Sequence, residues 1–150
     1  MTDIKNDLGQ VVLDHIAIAV KSIEHSQKIY EDIGFTFWDK KEIVASQKVM
    51  TAFANIDTHA HVELLQPTEE QGAIFDFINK RGEGIHHIAF LVPDIYAKQE
   101  ELKLKGYKLL YETPQPGANN KLINFIHPKS AGGVMIEISQ ESVQEKKSNE

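Results

Sequence analysis

The sequence contains no cysteine. Disulfide frameworks and thiolate metal sites are therefore excluded, and any metal must be held by nitrogen and oxygen donors. Long apolar runs are missing too. No stretch approaches the roughly 20 residues of a membrane span, and residues 1–7 lack the charged-then-apolar pattern of a signal peptide. No membrane association is expected, and the cytoplasm is the default compartment. Positive charge is also scarce. With 16 Lys and Arg against 22 Asp and Glu the formal net charge is −6, which opposes nucleic-acid binding, since neutralising phosphates needs a basic face. Apolar residues are not scarce: at 41% of 150 residues they suffice to bury a core in one domain or two small fused modules.

What the chain does contain is a repeat. Leu13-Asp14-His15-Ile16-Ala17-Ile18-Ala19-Val20 returns as Ile85-His86-His87-Ile88-Ala89-Phe90-Leu91-Val92, and the offset of 72 that sets His15 on His87 also sets Ile23 on Ile95 and Gly34 on Gly106. Further along, Val62-Glu63-Leu64-Leu65-Gln66 matches Ile136-Glu137-Ile138-Ser139-Gln140 at an offset of 74, so the second copy carries two extra residues in a loop. Each copy thus offers one histidine and one glutamate.

Residues 1–10 read as a polar arm. Alternation over 11–20 makes a strand with His15, Ala17 and Ala19 on one face and Ile16, Ile18 and Val20 on the other. Ser22 caps a helix that ends at Gly34, and strands follow at 35–38, 44–54 and 61–66. The first module spans 11–70. A connecting helix within 71–83 carries Ile74, Phe75, Phe77 and Ile78 on its apolar side. The second module, 84–140, repeats the order: strand 86–92, a helix from an Asp94 cap to Lys105, then strands at 107–112, 121–127 and 133–139. Pro114, Pro116 and Gly117 mark 113–120 as a loop, and 141–150 is too polar to fold. The fold class is α+β, with two tandem β-α-β-β-β modules.

If the duplicated modules pair around a shared groove, His15, Glu63, His87 and Glu137 converge as an N2O2 set. Such a set suits a borderline divalent ion and leaves two open octahedral positions. Glu63 and Glu137 sit among Val, Leu and Ile, where an unpaired carboxylate costs on the order of several kcal/mol. The register also assigns the role within His86-His87: Asp14 occupies the place of His86, so His87 is the donor, and alternation turns His86 to the opposite face. His25, His59 and His61 fit the helix surface and turns better than a ligand set, while His127, in the last loop, is open between touching a substrate and shaping the turn.

The combination of Leu13–Ala19, Glu63-Leu64-Leu65-Gln66-Pro67, Gly84–Phe90 and Asn124-Phe125-Ile126-His127-Pro128-Lys129-Ser130-Ala131-Gly132-Gly133-Val134-Met135-Ile136-Glu137 resembles the methylmalonyl-CoA epimerases of the vicinal-oxygen-chelate, or glyoxalase, superfamily over residues 13–140. That resemblance implies a pair of half-barrels around a divalent metal (Co, Mn, Ni or Zn) on His15, Glu63, His87 and Glu137. It implies epimerisation of methylmalonyl-CoA by proton abstraction alpha to the thioester, through a metal-stabilised enolate, with Glu137 as one acid/base. Many bacterial epimerases carry the second as the glutamate of a Gln-x-Val-x-Glu pattern. Here that pattern reads Gln47-Lys48-Val49-Met50-Thr51, and threonine is no base at neutral pH. Lys121 and Lys129 are the candidate contacts for an acyl-CoA, and a homodimer is the expected assembly. Two alternatives remain open within the fold: a lactoylglutathione lyase (glyoxalase I), and a non-enzymatic binding protein of the antibiotic-resistance type.

Overall fold

The computed structural model describes residues 11–142. The expected arm and positions 143–150 of the expected tail lie outside them. The elements in chain order are β1 (Val12–Ala19), α1 (Ile23–Ile33), β2 (Glu42–Val44), β3 (Val49–Asn55), β4 (His61–Pro67), α2 (Ala73–Arg81), β5 (Gly84–Leu91), α3 (Ile95–Leu104), β6 (Gln115–Gly117), β7 (Lys121–Ile126) and β8 (Ile136–Glu141). Eight strands form one barrel-like sheet in the order β2-β3-β4-β1-β5-β8-β7-β6. Among the described residues no helix is long and apolar enough to cross a membrane.

The repeat becomes a pseudo-two-fold in the hydrogen bonding. β1 runs parallel to β4, and β5 parallel to β8, with Ala17 opposite Glu63 and Ala89 opposite Glu137. The halves join through the antiparallel β1–β5 ladder, where His15 faces Ala89, Ile16 faces Ile88 and Ala17 faces His87. The repeat offset exchanges the first and third of these pairs and maps the second onto itself, so the pseudo-axis passes through Ile16–Ile88.

Each half buries its helix in the same way. Val20, Ile23 and Leu64 cluster under α1, and Val92, Ile95 and Ile138 cluster under α3. Ser22 caps α1 by accepting from the His25 backbone N–H, as Asp94 caps α3 by accepting from that of Ala97. The repeated glutamines close the same ends: Gln66 Oε1 accepts from Ile23 N at 2.8 Å and Gln140 Oε1 from Ile95 N at 2.7 Å. Two helix N-terminal donors that would otherwise lack partners are thereby tied to the last strand of each half.

Four local expectations change. Residues 35–38 and 107–112 contribute one isolated bridge each, Phe37 to Ala54 and Leu109 to Ile126, rather than strands. The strand expected over 44–54 is interrupted by a single 3₁₀ turn at Ala45–Gln47, with Lys48 at positive φ. Within the expected loop 113–120, Gln115–Gly117 pairs with β7, and Pro116 is tolerated because β6 is the outermost strand. The last strand begins at Ile136 instead of 133, after positive-φ Gly132 and Gly133, and continues through Glu141.

Candidate metal centre

One face of the sheet wraps around an open, largely apolar cavity. Leu65, Ile74, Ile123, Phe125 and Met135 give it apolar walls. His15, Glu63, His87 and Glu137 all line it, and each is buried, at 4–5% exposure. His15 Nε2 lies 3.3 Å from His87 Nε2, 3.8 Å from Glu63 Oε1 and 3.5 Å from Glu137 Oε2, and His87 Nε2 lies 3.3 Å from Glu137 Oε1. Donor atoms of His15, Glu63 and His87 fall within 4.8 Å of one another. Ala17 and Ala89, opposite the two glutamates, keep the neighbouring positions small.

These groups perturb one another. Burial opposes a charge on His15, but Glu63, Glu137 and Asp14 outweigh it and raise its pKa to about 9. Burial pushes Glu63 up against the pull of both histidines. Glu137 is equally buried, yet the charge of His15 and a hydrogen bond from His87 hold it below the ordinary carboxylate value. The two carboxylates are thus driven apart, one toward an acid and one toward a base. Glu137 Oε2 is buried without a hydrogen-bond partner. Two inward-facing carboxylates, one of them with an oxygen that lacks a hydrogen bond, and two imidazole Nε2 atoms make a donor set that fits a divalent cation.

The strands that carry the histidines are both bulged, which corrects the expectation for His86. The β1–β5 register slips between Leu13 and His15, leaving Asp14 as an extra residue, and again between Ala17 and Ile18, leaving His86 extra on β5. Positions 14 and 86 are equivalent in the repeat. At each, the bulge breaks alternation and turns the side chain back beside the following histidine. Asp14 Oδ2 accepts from His15 Nδ1 at 2.6 Å, and His86 Nδ1 lies 2.8 Å from His87 Nδ1. His86 therefore lines the cavity instead of facing away, with Phe77 of α2 edge-on at 5.0 Å. Burial and His87 press its pKa down to about 4.

The model for the Glyoxalase/Bleomycin resistance protein/Dioxygenase superfamily matches residues 14–125. The chain belongs to that superfamily. Among solved structures it is similar to the methylmalonyl-CoA epimerase of Mycobacterium tuberculosis, at 37% identity and a TM-score of 0.82, over 87% of each chain. It is also similar to a variant of the Streptomyces coelicolor methylmalonyl-CoA epimerase in complex with 2-nitronate-propionyl-CoA, at 32% identity and a TM-score of 0.83, over 87% of this chain and 97% of that one. The human mitochondrial methylmalonyl-CoA epimerase is 33% identical over 129 residues, 85% of this chain and 73% of its own.

Against this glyoxalase-superfamily frame the remaining candidates fall into place. Lys121 opens β7 facing inward, 7% exposed, and its ammonium is bonded to Asp14 Oδ1 across the cavity, so it is no loop residue reaching for phosphates. Lys129 is exposed in the 3₁₀ turn Pro128–Ser130, which His127 Nδ1 caps by accepting from the Lys129 N–H. Thr51 lines the cavity with its hydroxyl donating to the Glu42 carbonyl at 3.2 Å. His61 stacks edge-on to Trp38 at 5.1 Å and donates from Nδ1 to the Asp14 carbonyl, apart from the donor cluster. Asp14, which the sequence offered only to fix register, is a buried residue of the site bonded to His15. The signal was its alignment with a histidine that adjoins a candidate ligand.

Proposed function

We propose that the protein is an isomerase that epimerises methylmalonyl-CoA, or a close acyl-CoA with a carboxylate on C2, with a divalent metal held by His15, Glu63, His87 and Glu137. The observation that carries this reading is the convergence of those four buried side chains in a cavity, with Glu137 Oε2 unpartnered. The similar proteins that act on methylmalonyl-CoA support the substrate. When bound, a divalent ion would supply Lewis-acid acidification of the hydrogen between thioester and carboxylate.

The chain's own residues supply the proton abstraction and the positioning. Glu137, held ionised by His15 and His87, takes the C2 proton on Oε2. His87 Nε2 and His15 Nε2 lie 3.3 and 3.5 Å from its two oxygens, which sets the carboxylate between the two imidazoles. Ile123, Phe125 and Leu65 exclude water, which strengthens each of these electrostatic contacts. Thr51 contributes no base, because its hydroxyl is committed as a donor to Glu42. Lys129 stands at the surface as a contact for the polar end of the coenzyme, and the working assembly is a homodimer of the 16.9 kDa chain.

The test is hydrogen exchange at C2 of methylmalonyl-CoA in deuterated water, followed by NMR on protein loaded with Co or Mn, beside an assay for lactoylglutathione. Exchange with inversion and no lactoylglutathione is expected. The reverse would refute the assignment and favour glyoxalase I. Light scattering at the mass of a single chain would remove the dimer.

A further inference from the structure

Asp14 is 1% exposed and both of its carboxylate oxygens are engaged. Oδ2 takes the His15 Nδ1–H at 2.6 Å, and Oδ1 takes the Lys121 ammonium. Two strands, β5 and β8, stand between β1 and β7 in the sheet order, so Lys121 reaches Asp14 across the cavity and not along the sheet. The equivalent bulge in the second half has no such arrangement. There His87 is backed by the imidazole of His86, which leans on Phe77.

A carboxylate on Nδ1 fixes that nitrogen as the one that keeps its hydrogen when a metal takes the other, and it prevents the ring from rotating. On its own, a buried carboxylate in that position would be an uncompensated charge, and Lys121 compensates it. The pair adds no net charge to the donor cluster, leaving the charges of Glu63 and Glu137 to match a divalent ion. We propose that Asp14, with Lys121 as its counter-ion, is the positioning residue that aims His15 Nε2 into the metal centre. Because Lys121 belongs to the second repeat and Asp14 to the first, the first repeat's histidine is set only when the second closes over it. This inference rests on the metal reading above but not on the substrate.

The single variant Asp14→Asn would leave a buried ammonium unpaired and threatens the fold, so the informative protein is the double variant Asp14→Asn/Lys121→Met, which removes both charges together. Its folding is followed by circular dichroism, and its Co²⁺ affinity and visible d–d spectrum are compared with those of the parent. A folded double variant whose Co²⁺ affinity drops about 10–100-fold, with an altered d–d spectrum, is the expected result. Lys121→Arg, which keeps a cation against Asp14, should retain the parent spectrum. A folded double variant with the parent's affinity and spectrum would overturn the proposal and leave the pair a purely structural bridge. Absence of Co²⁺ binding by the parent itself would overturn the metal reading and this inference with it, whereas a parent that binds Co²⁺ without epimerising anything would refute only the substrate assignment.

Discussion

In the metal-free protein stability should fall as pH rises, opposite to the usual behaviour of a protein held by ionised carboxylates. In the metal-free protein His15 has a pKa of about 9 against 6.5 for an ordinary histidine, because Glu63, Glu137 and Asp14 surround it. A group whose folded pKa is raised stabilises the fold fully below its unfolded value and loses that contribution as pH climbs through the folded one. The window is therefore pH 6.5 to about 9. At about 1.4 kcal/mol per pH unit the difference comes to roughly 3 kcal/mol, a large fraction of a typical domain's stability. Urea denaturation of chelator-treated protein, followed by circular dichroism at pH 6.5, 7.5, 8.5 and 9.5, reads the loss directly. A bound divalent ion should flatten the profile, since a ligating Nε2 carries no proton to lose. His15→Gln should be less stable at pH 6.5 and nearly flat above it. A flat profile in the chelated parent, or an equal slope in His15→Gln, would show that the buried charges are balanced in some other way.

Glu137→Gln keeps the shape of the side chain and removes the base, so C2 exchange should drop by about 10²–10⁴ while circular dichroism stays unchanged; an activity within tenfold of the parent would move the base elsewhere. His86→Leu, which deletes the brace behind His87, should weaken Co²⁺ binding about tenfold in a titration, and unaltered affinity would make His86 a wall residue only. Gly117→Ala sets a Cβ 2.8 Å from Ile123 Cγ2 at the cavity wall, which should cost about 1–3 kcal/mol in urea denaturation and raise KM. Gln66→Leu and Gln140→Leu should each cost about 1 kcal/mol, because each leaves a helix N–H without its acceptor; unequal losses would show that the two halves do not share the load equally.

The donor cluster was legible because duplication doubles a weak signal. A lone histidine in an apolar strand says little, but His15 with Glu63 and His87 with Glu137 recur at nearly one spacing, and the two parallel ladders place Ala17 by Glu63 and Ala89 by Glu137. The helices were legible from the Ser22 and Asp94 caps and from Gly34 and Gly106. The bulges were not. Strand reading assumes strict alternation, and one inserted residue moves Asp14 and His86 onto the face that alternation denies them. Lys121 escaped for a related reason: its charge argues for solvent, and only the folded sheet, which brings its side chain to Asp14, reveals the carboxylate that pairs with it. Residues 35–38 and 107–112 have the composition of strands, but each finds a partner at one residue only, and β-propensity carries no information about partners.

The slipped pairings in β1 and β5 have a further consequence. Repeated backbone geometry does not impose repeated electronics: the same insertion presents an anion to one imidazole and a neutral ring to the other. Positions 14 and 86 act as two separate tuning screws on one centre. The β1–β5 ladder sets the spacing of His15 and His87 while the bulge residues set what backs each ring, so spacing and basicity rest on different parts of the structure.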